Sequence, residues 1–316
     1  MAKLSVVKPA APTELERLTD DYLAACRAAG ASPKTIRFGY GFPLKNVFLP
    51  WAAEQGITEP GQLDNRVLDR FTVHLREEGG IRGQLSEQSI WTYMKAVNRF
   101  VRWLREEGEQ VAAEGRKLPR LPKKLVEVLS REEVAQLEAA APNERDKLIV
   151  RVLADGGLRV GELVKLRTTD LEEQHGSCFL KVRGKGNRER LVPVDRTLYR
   201  RLRRYAMARP GDSERIFVAL RRRPGGDYPP LTENGVEQMV RELAERSGFR
   251  RRVTPHTFRH SAATWMLRSG MNPLLVAQVL GHTSLDMIQN VYSHLTPTDA
   301  HRELMAALQA DRDGGR

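Results

Sequence analysis

His256 and Arg259 stand three residues apart, directly after Thr254-Pro255, a pair that suits a helix start with Thr as N-cap and Pro in the first turn. On such a helix both side chains share a face near the N-terminus, where backbone N–H groups and the helix dipole favour an anion. Earlier in the chain, Gly157-Leu158-Arg159-Val160-Gly161-Glu162-Leu163 sets an arginine between glycines, with Glu162 near enough to orient its guanidinium fork. Lys185 occupies the turn Gly184-Lys185-Gly186-Asn187-Arg188, and Leu280-Gly281-His282 and Val291-Tyr292-Ser293-His294 come last. Guanidinium, imidazole and ammonium groups can stabilise a phosphodiester as negative charge builds on its oxygens. A phenol, with a reference pKa of about 10, becomes a nucleophile once cations lower that value. His256 and His260 also have the i, i+4 spacing of helical zinc ligands, but Thr257 stands where a metalloprotease helix places Glu, so neither a metal nor another cofactor is expected.

The whole chain favours a polyanionic partner. Among 316 residues, 52 Lys+Arg oppose 40 Asp+Glu, a formal charge of +12, and nucleic acid is the partner such a field suits best. The excess is clustered at Arg183, Lys185, Arg188 and Arg190, at Arg200, Arg201, Arg203 and Arg204, at Arg221 to Arg223, and at Arg250, Arg251 and Arg252. Cys26 and Cys178 lie far apart with no metal-like spacing, which fits a reducing cytosol. The first residues, MAKLSVVKPAAPTELERL, lack a signal-peptide stretch, and no uncharged apolar run approaches the roughly 20 residues of a membrane span. The expectation is a cytoplasmic protein, nucleoid-associated and without a membrane partner.

Length predicts two domains. Residues 13 to 29 read as a helix, Ser32-Pro33 opens another, and helices follow around 65 to 77 and 87 to 106, where Ile90, Tyr93, Met94, Val97, Val101 and Leu104 recur at helical spacing. Residues 108 to 124 read as an exposed linker because they carry Gly, Pro and basic residues with little apolar periodicity. The boundaries are residues 1 to 118 for a helical N-terminal domain, 119 to 126 for a linker and 127 to 316 for a second domain. Ser130 with Glu133 forms a capping box, and a long apolar helix from about Arg145 runs into Gly156-Gly157. Residues 178 to 183 and 189 to 194 read as a hairpin. Helices are predicted near 196 to 208, after Thr232, after Thr254, over 273 to 280 and 284 to 294, and from Pro297, whose Ala300, Leu304 and Leu308 form one stripe.

Arg159, Lys185, His256-x-x-Arg259, His282 and Tyr292, in this order and with His282 ten residues before Tyr292, resemble the full active-site set of the tyrosine recombinases of the phage-integrase family. The LGH and VYSHL contexts most resemble the Xer-type branch, and SPKTIRFGYGFPLKNVFLPWAAEQGI is similar to that family's N-terminal core-binding segment. The resemblance implies a mainly α fold with a small β-sheet: an N-terminal helical bundle (core-binding, SAM-like) and a C-terminal mixed α/β catalytic domain, closing around duplex DNA. It implies that Arg159 and Arg259 grip the nonbridging oxygens, that His256 and His282 donate hydrogen bonds or carry protons, and that Lys185 protonates the departing 5′ oxygen. Tyr292 would form a 3′-phosphotyrosine link that stores the bond energy, so rejoining needs neither metal nor ATP. Glu162, His260 and His294 are expected to support these groups from behind, and Arg183, Arg188, Arg190, Arg250, Arg251 and Arg252 to contact DNA. His74, His175 and His301 are expected to be ordinary surface residues.

By the same resemblance the partners are double-stranded DNA and further recombinase subunits. These are a dimer on each site and a tetramer at the synapse, as a homo-oligomer or a hetero-tetramer with a second recombinase. The role is resolution of chromosome or plasmid dimers, or integration of a mobile element. A type IB topoisomerase shares the tyrosine chemistry, and a noncatalytic DNA-binding copy of the fold is the alternative from another class; a metal-dependent nuclease would need clustered carboxylates that the sequence lacks.

Overall fold

The computed structural model describes residues 11–79, 83–118, 121, 127–184, 188–281 and 305. The chain divides into two compact units, Met1–Lys123 and Lys124–Arg316.

In the N-terminal unit, helix α1 (Glu14–Ala28) starts at Thr13, whose hydroxyl accepts from the Glu16 N–H while the Glu16 carboxylate accepts from the Thr13 N–H. The next helical run is unusual. It passes through two π-turn stretches, Thr35–Gly41 and Leu44–Phe48, before α2 (Leu49–Glu54). Each stretch ends within two residues of a proline, Pro43 or Pro50, which has no N–H for the carbonyl four residues back and whose ring crowds it, so a wider turn relieves the mismatch. Helices α3 (Asn65–Glu77) and α4 (Glu87–Glu106), capped by Asp64 and Ser86, complete the bundle. Its core is aromatic: the Phe71 ring lies 5.0 Å from both Phe48 and Trp51, and Tyr22 packs on Phe100 and Trp103.

One expectation needs correction here. The stretch through residue 118 is not a free linker, because Ala113 is buried and its N–H donates to Leu63 O. The Asn98 amide clasps Arg116 from both sides, donating to its carbonyl and accepting from its N–H, and the Arg116 side chain pairs with Asp69. Polar composition concealed this attachment, since backbone and side-chain hydrogen bonds carry it rather than an apolar stripe.

The second unit opens with α5 (Arg131–Ala140), where Ser130 and Glu133 cap each other as their spacing predicts. Helix α6 (Glu144–Gly156) is buried on most sides, with Leu148, Ile149, Val150, Val152, Leu153 and Ala154 sealed in the core. It packs against α5, α8, α10 and β3, and each sealed aliphatic side chain stabilises by about 1.5–3 kcal/mol. After the short α7 (Val160–Leu163), strands β1 (Leu171–Gln174), β2 (Ser177–Arg183) and β3 (Glu189–Val194) form an antiparallel sheet in chain order. The β2–β3 hairpin pairs Cys178 with Val194 and Arg183 with Glu189. Strand β1 escaped the sequence reading because LEEQ is polar; it is fixed by the His175-Gly176 turn, where both residues have positive φ as a two-residue hairpin requires. Helices α8 (Arg196–Ala208), α9 (Glu233–Arg246), α10 (Pro255–Arg268) and α11 (Pro273–Leu280) follow. The helices expected over 284 to 294 and from Pro297 lie outside the described residues, apart from Met305. No described helix is long and apolar enough to cross a membrane.

Candidate active site

The site is organised where α6 ends. Gly157 takes the left-handed conformation with φ 59°, and a Cβ there would stand 2.5 Å from Leu280 Cδ2 and 3.1 Å from the Ala262 Cβ. Glycine therefore lets the end of α6 meet α10 and α11 at backbone distance.

Arg159 follows in extended backbone. Its N–H donates to Glu162 Oε2 at 2.9 Å, Nη1 donates to Glu162 Oε1 at 3.0 Å, and Nη2 donates to Gly281 O at 3.0 Å. Glu162 is almost sealed, with 6% of its side chain exposed, and it also receives Nη1 and Nη2 of Arg190 at 2.9 and 2.7 Å. Burial alone would raise its pKa; the hydrogen bonds and charge of Arg190, then those of Arg159, outweigh that and hold the carboxyl below its ordinary value.

On α10, Thr254 caps Thr257 as predicted, placing His256 in the first turn and Arg259 one turn on. Arg259 is 3% exposed, and its Nη1 and Nη2 donate to Gly157 O at 2.7 Å and Leu280 O at 2.6 Å. Its Nε finds no acceptor among the described residues. Burial, then the charge of Arg159, pushes its pKa down to about 9, with Glu162 as the opposing attraction. Three guanidinium groups surround one carboxylate here, leaving a surplus of positive charge that a phosphate would relieve.

Arg159, His256 and Arg259 line one cleft of about 460 Å³, together with Arg252. The His256 ring opens onto this cleft and meets the His260 ring edge-on at 4.8 Å. Loss of hydration, then the charges of Arg259 and Arg159, lowers its pKa, which favours the neutral imidazole. Helix α9 adds Asn234, Gln238 and Arg241 to the same cleft, with Glu237 beside them as its acid. The sequence reading missed these, although they recur at i, i+3, i+4 and i+7, opposite the buried Val236, Val240 and Leu243.

The remaining expected residues are placed as follows. Lys185, His282, Tyr292, His294 and His301 lie outside the described residues. Arg183 donates to Asp170 and Glu189, and Arg190 is turned inward, with Nε on Val279 O at 2.8 Å. Arg188 and Arg250 are exposed, and Arg251 pairs with Glu127 and Glu133. His175 is exposed in its turn, but His74 is partly buried, stacked on Phe71 and paired with Glu78, so it is not an ordinary surface residue. No group of three or more metal-ligating side chains occurs among the described residues.

Residues 127–299 match the phage integrase family. Over 284 residues the chain is 32% identical to tyrosine recombinase XerA of Thermococcus onnurineus (strain NA1), covering 89% of this chain and 92% of that one. Two solved structures share its fold: XerH recombinase bound to a palindromic difH substrate in a post-cleavage complex, and a lambda integrase tetramer bound to a Holliday junction. The first has a TM-score of 0.68 at 21% identity, covering 92% of this chain and 84% of that one. The second has a TM-score of 0.64 at 18% identity, covering 89% and 83%. The chain belongs to the phage integrase family, as an Xer-type tyrosine recombinase and thus a DNA strand-exchange enzyme.

Proposed function

We propose that this recombinase cuts and rejoins duplex DNA through a 3′-phosphate bond to Tyr292, without metal or ATP. The observation that carries the reading is the cleft lined by Arg159, Arg259 and His256, with Arg241 and Arg252 beside them and Glu237 as its one acid among the described residues, a net positive setting that suits a phosphodiester. The Tyr292 oxygen attacks phosphorus and the bond to the 5′ oxygen breaks. The phenol proton leaves to a nearby base, and Lys185 supplies a proton to the departing oxygen. Arg159 and Arg259 hold the nonbridging oxygens as charge accumulates on them, with His256 and His282 beside them. Glu162 keeps Arg159 aimed, and His260 and His294 support the neighbouring groups. Attack by the freed 5′ hydroxyl of a partner strand reverses these changes and restores the tyrosine.

Residues 1 to 118 are assigned to duplex binding and residues 127 to 316 to catalysis, joined through 119 to 126. Arg188, Arg250 and Arg252 supply exposed positive charge for DNA phosphates. The working assembly is a dimer on each site and a tetramer when two sites pair, with the stripe on the helix from Pro297 docking between subunits.

The test starts from duplexes selected from a random library by binding to the full chain, then nicked near their centres to trap cleavage. A covalent band on a denaturing gel, mapped to Tyr292, retained in EDTA and lost in Tyr292→Phe while DNA binding persists, is the expected result. No band from any selected duplex, or an unchanged band in Tyr292→Phe, refutes the reading.

A further inference from the structure

We propose that Arg190 is a positioning residue that locks the turn ahead of His282 to Arg159 and to the β2–β3 hairpin, rather than a DNA contact. The inference rests on the recombinase reading above and adds a residue to its machinery.

Three observations meet at this side chain. First, its guanidinium is fully engaged inside the protein: Nη1 and Nη2 grip Glu162, Nε donates to Val279 O, and 11% of the side chain is exposed. Arg190 does not line the cleft that holds Arg159, His256 and Arg259. Second, the last carbonyls of α11 are divided among three arginines in order. Val279 O accepts from Arg190, Leu280 O from Arg259 with a longer 3.5 Å approach by Arg159, and Gly281 O from Arg159. The C-terminal end of a helix attracts cations, and here two of the three also reach the cleft. Third, Gly281 has φ 66° and lies flat against the Arg190 guanidinium, where a Cβ would come within 2.9 Å of Nη1 and 3.0 Å of Cζ and Nε. The glycine of Leu280-Gly281-His282 thus answers both to backbone conformation and to the arginine beside it.

Arg190 belongs to β3 and pairs across the hairpin with Val182, so the strand that leads from the Lys185 turn is fixed by the same group. One planar fork therefore joins the hairpin, the carboxylate that aims Arg159, and the backbone that leads into His282. Lysine keeps the charge, but its donors sit on one nitrogen and cannot span both Glu162 oxygens and Val279 O as the planar fork does, so it should not substitute. With Arg190 gone, Glu162 would keep Arg159 as its sole charged partner and would draw it away from Gly281 O.

The test compares the full chain with Arg190→Lys, Arg190→Gln, Glu162→Gln and the double variant of Arg190→Lys with Glu162→Gln on the selected nicked duplexes. It reads DNA affinity across a salt series, the single-turnover rate of covalent adduct formation, and the thermal midpoint. Arg190→Lys is expected to bind within about twofold of the unmodified chain with the same salt slope, and to form adduct about thirtyfold more slowly or worse. Glu162→Gln should reproduce this loss, and the double variant should cost no more than the larger single one, because both remove the same lock. If Arg190→Lys fails to fold, Arg190→Gln carries the comparison. The proposal is overturned if adduct formation in these variants stays within about threefold, if the two losses multiply, or if the charge-removing Arg190→Gln lowers the salt slope by about one phosphate, as loss of a backbone contact would. No adduct from the unmodified chain removes the Tyr292 reading and this proposal with it. Loss confined to the variants separates the two.

Discussion

The two units solve burial in opposite ways. Among the described residues, the N-terminal unit seals one polar side chain, Thr19, inside a core of Phe48, Trp51, Phe71, Tyr22 and Phe100. The second unit seals Arg145, Asp146, Glu162, Asp170 and Arg259. Dehydrating a charge costs several kcal/mol unless partners replace the water, so each of these groups has partners arranged around it. The lesson is that the first unit packs its core almost without buried polar groups, while the second builds charge into its interior, part of it beside the cleft and part of it away from it.

That contrast can be broken at four points. Arg259→Ala should have the largest effect, slowing adduct formation by about a thousandfold or more, because it removes the proposed phosphate grip, takes the Arg259 donor from Gly157 O and leaves Leu280 O only the longer Arg159 contact. Single-turnover kinetics on nicked duplex reads it, and a loss below tenfold would place the grip elsewhere. Phe71→Ala opens a cavity among Phe48 and Trp51 and should destabilise the first unit by about 3–5 kcal/mol. Calorimetry should show that transition moving while the other stays. Asp146→Ala strips the buried Arg145 of its carboxylate and should cost about 3 kcal/mol, whereas replacing both residues with apolar side chains of similar volume should be near neutral in denaturant titrations. That pair holds α6 to the Val218 carbonyl and stands apart from the cleft, so its charges are dispensable where those of Arg159, Glu162 and Arg259 are not.

The smallest effect concerns pH. The lowered pKa of His256 means that the folded chain binds this proton less tightly than the unfolded chain, whose value is near 6.5. Its contribution is present above that value and is lost as pH falls through it toward the folded pKa. Arg159, Arg241, Arg252, Arg259 and Glu237 line the same cleft and His260 meets the ring edge-on, so protonation adds to an excess of positive charge. His256→Gln should therefore gain about one or two degrees in midpoint relative to the unmodified chain between about pH 7 and about pH 5. An unchanged difference across that range would contradict the depressed pKa.

Much of this was readable from residues in a line. Ser130 with Glu133, Thr254 with Pro255, and Gly157 at the end of α6 marked helix boundaries because caps act over three or four residues. The β2–β3 hairpin declared itself by β-branched and apolar content around a glycine turn. Strand β1 did not, because a positive-φ turn rather than its own composition pairs it with β2. The site was legible as residue types in order, but the convergence of Gly157 and Arg259, 102 residues apart, needed the packed helices. Arg190 looked like its exposed neighbours in the string, and only the fold turns it toward Glu162.

The bare hydrogen at position 157 has a consequence for variation. Anything larger would push on Leu280, the residue whose carbonyl Arg259 holds, and would spread the arginines although the added side chain meets only Leu280 and Ala262. A methyl group added in the apolar interior would then register first as altered kinetics at the surface cleft, so mutational surveys of this enzyme should find an intolerant position that contacts nothing it acts upon.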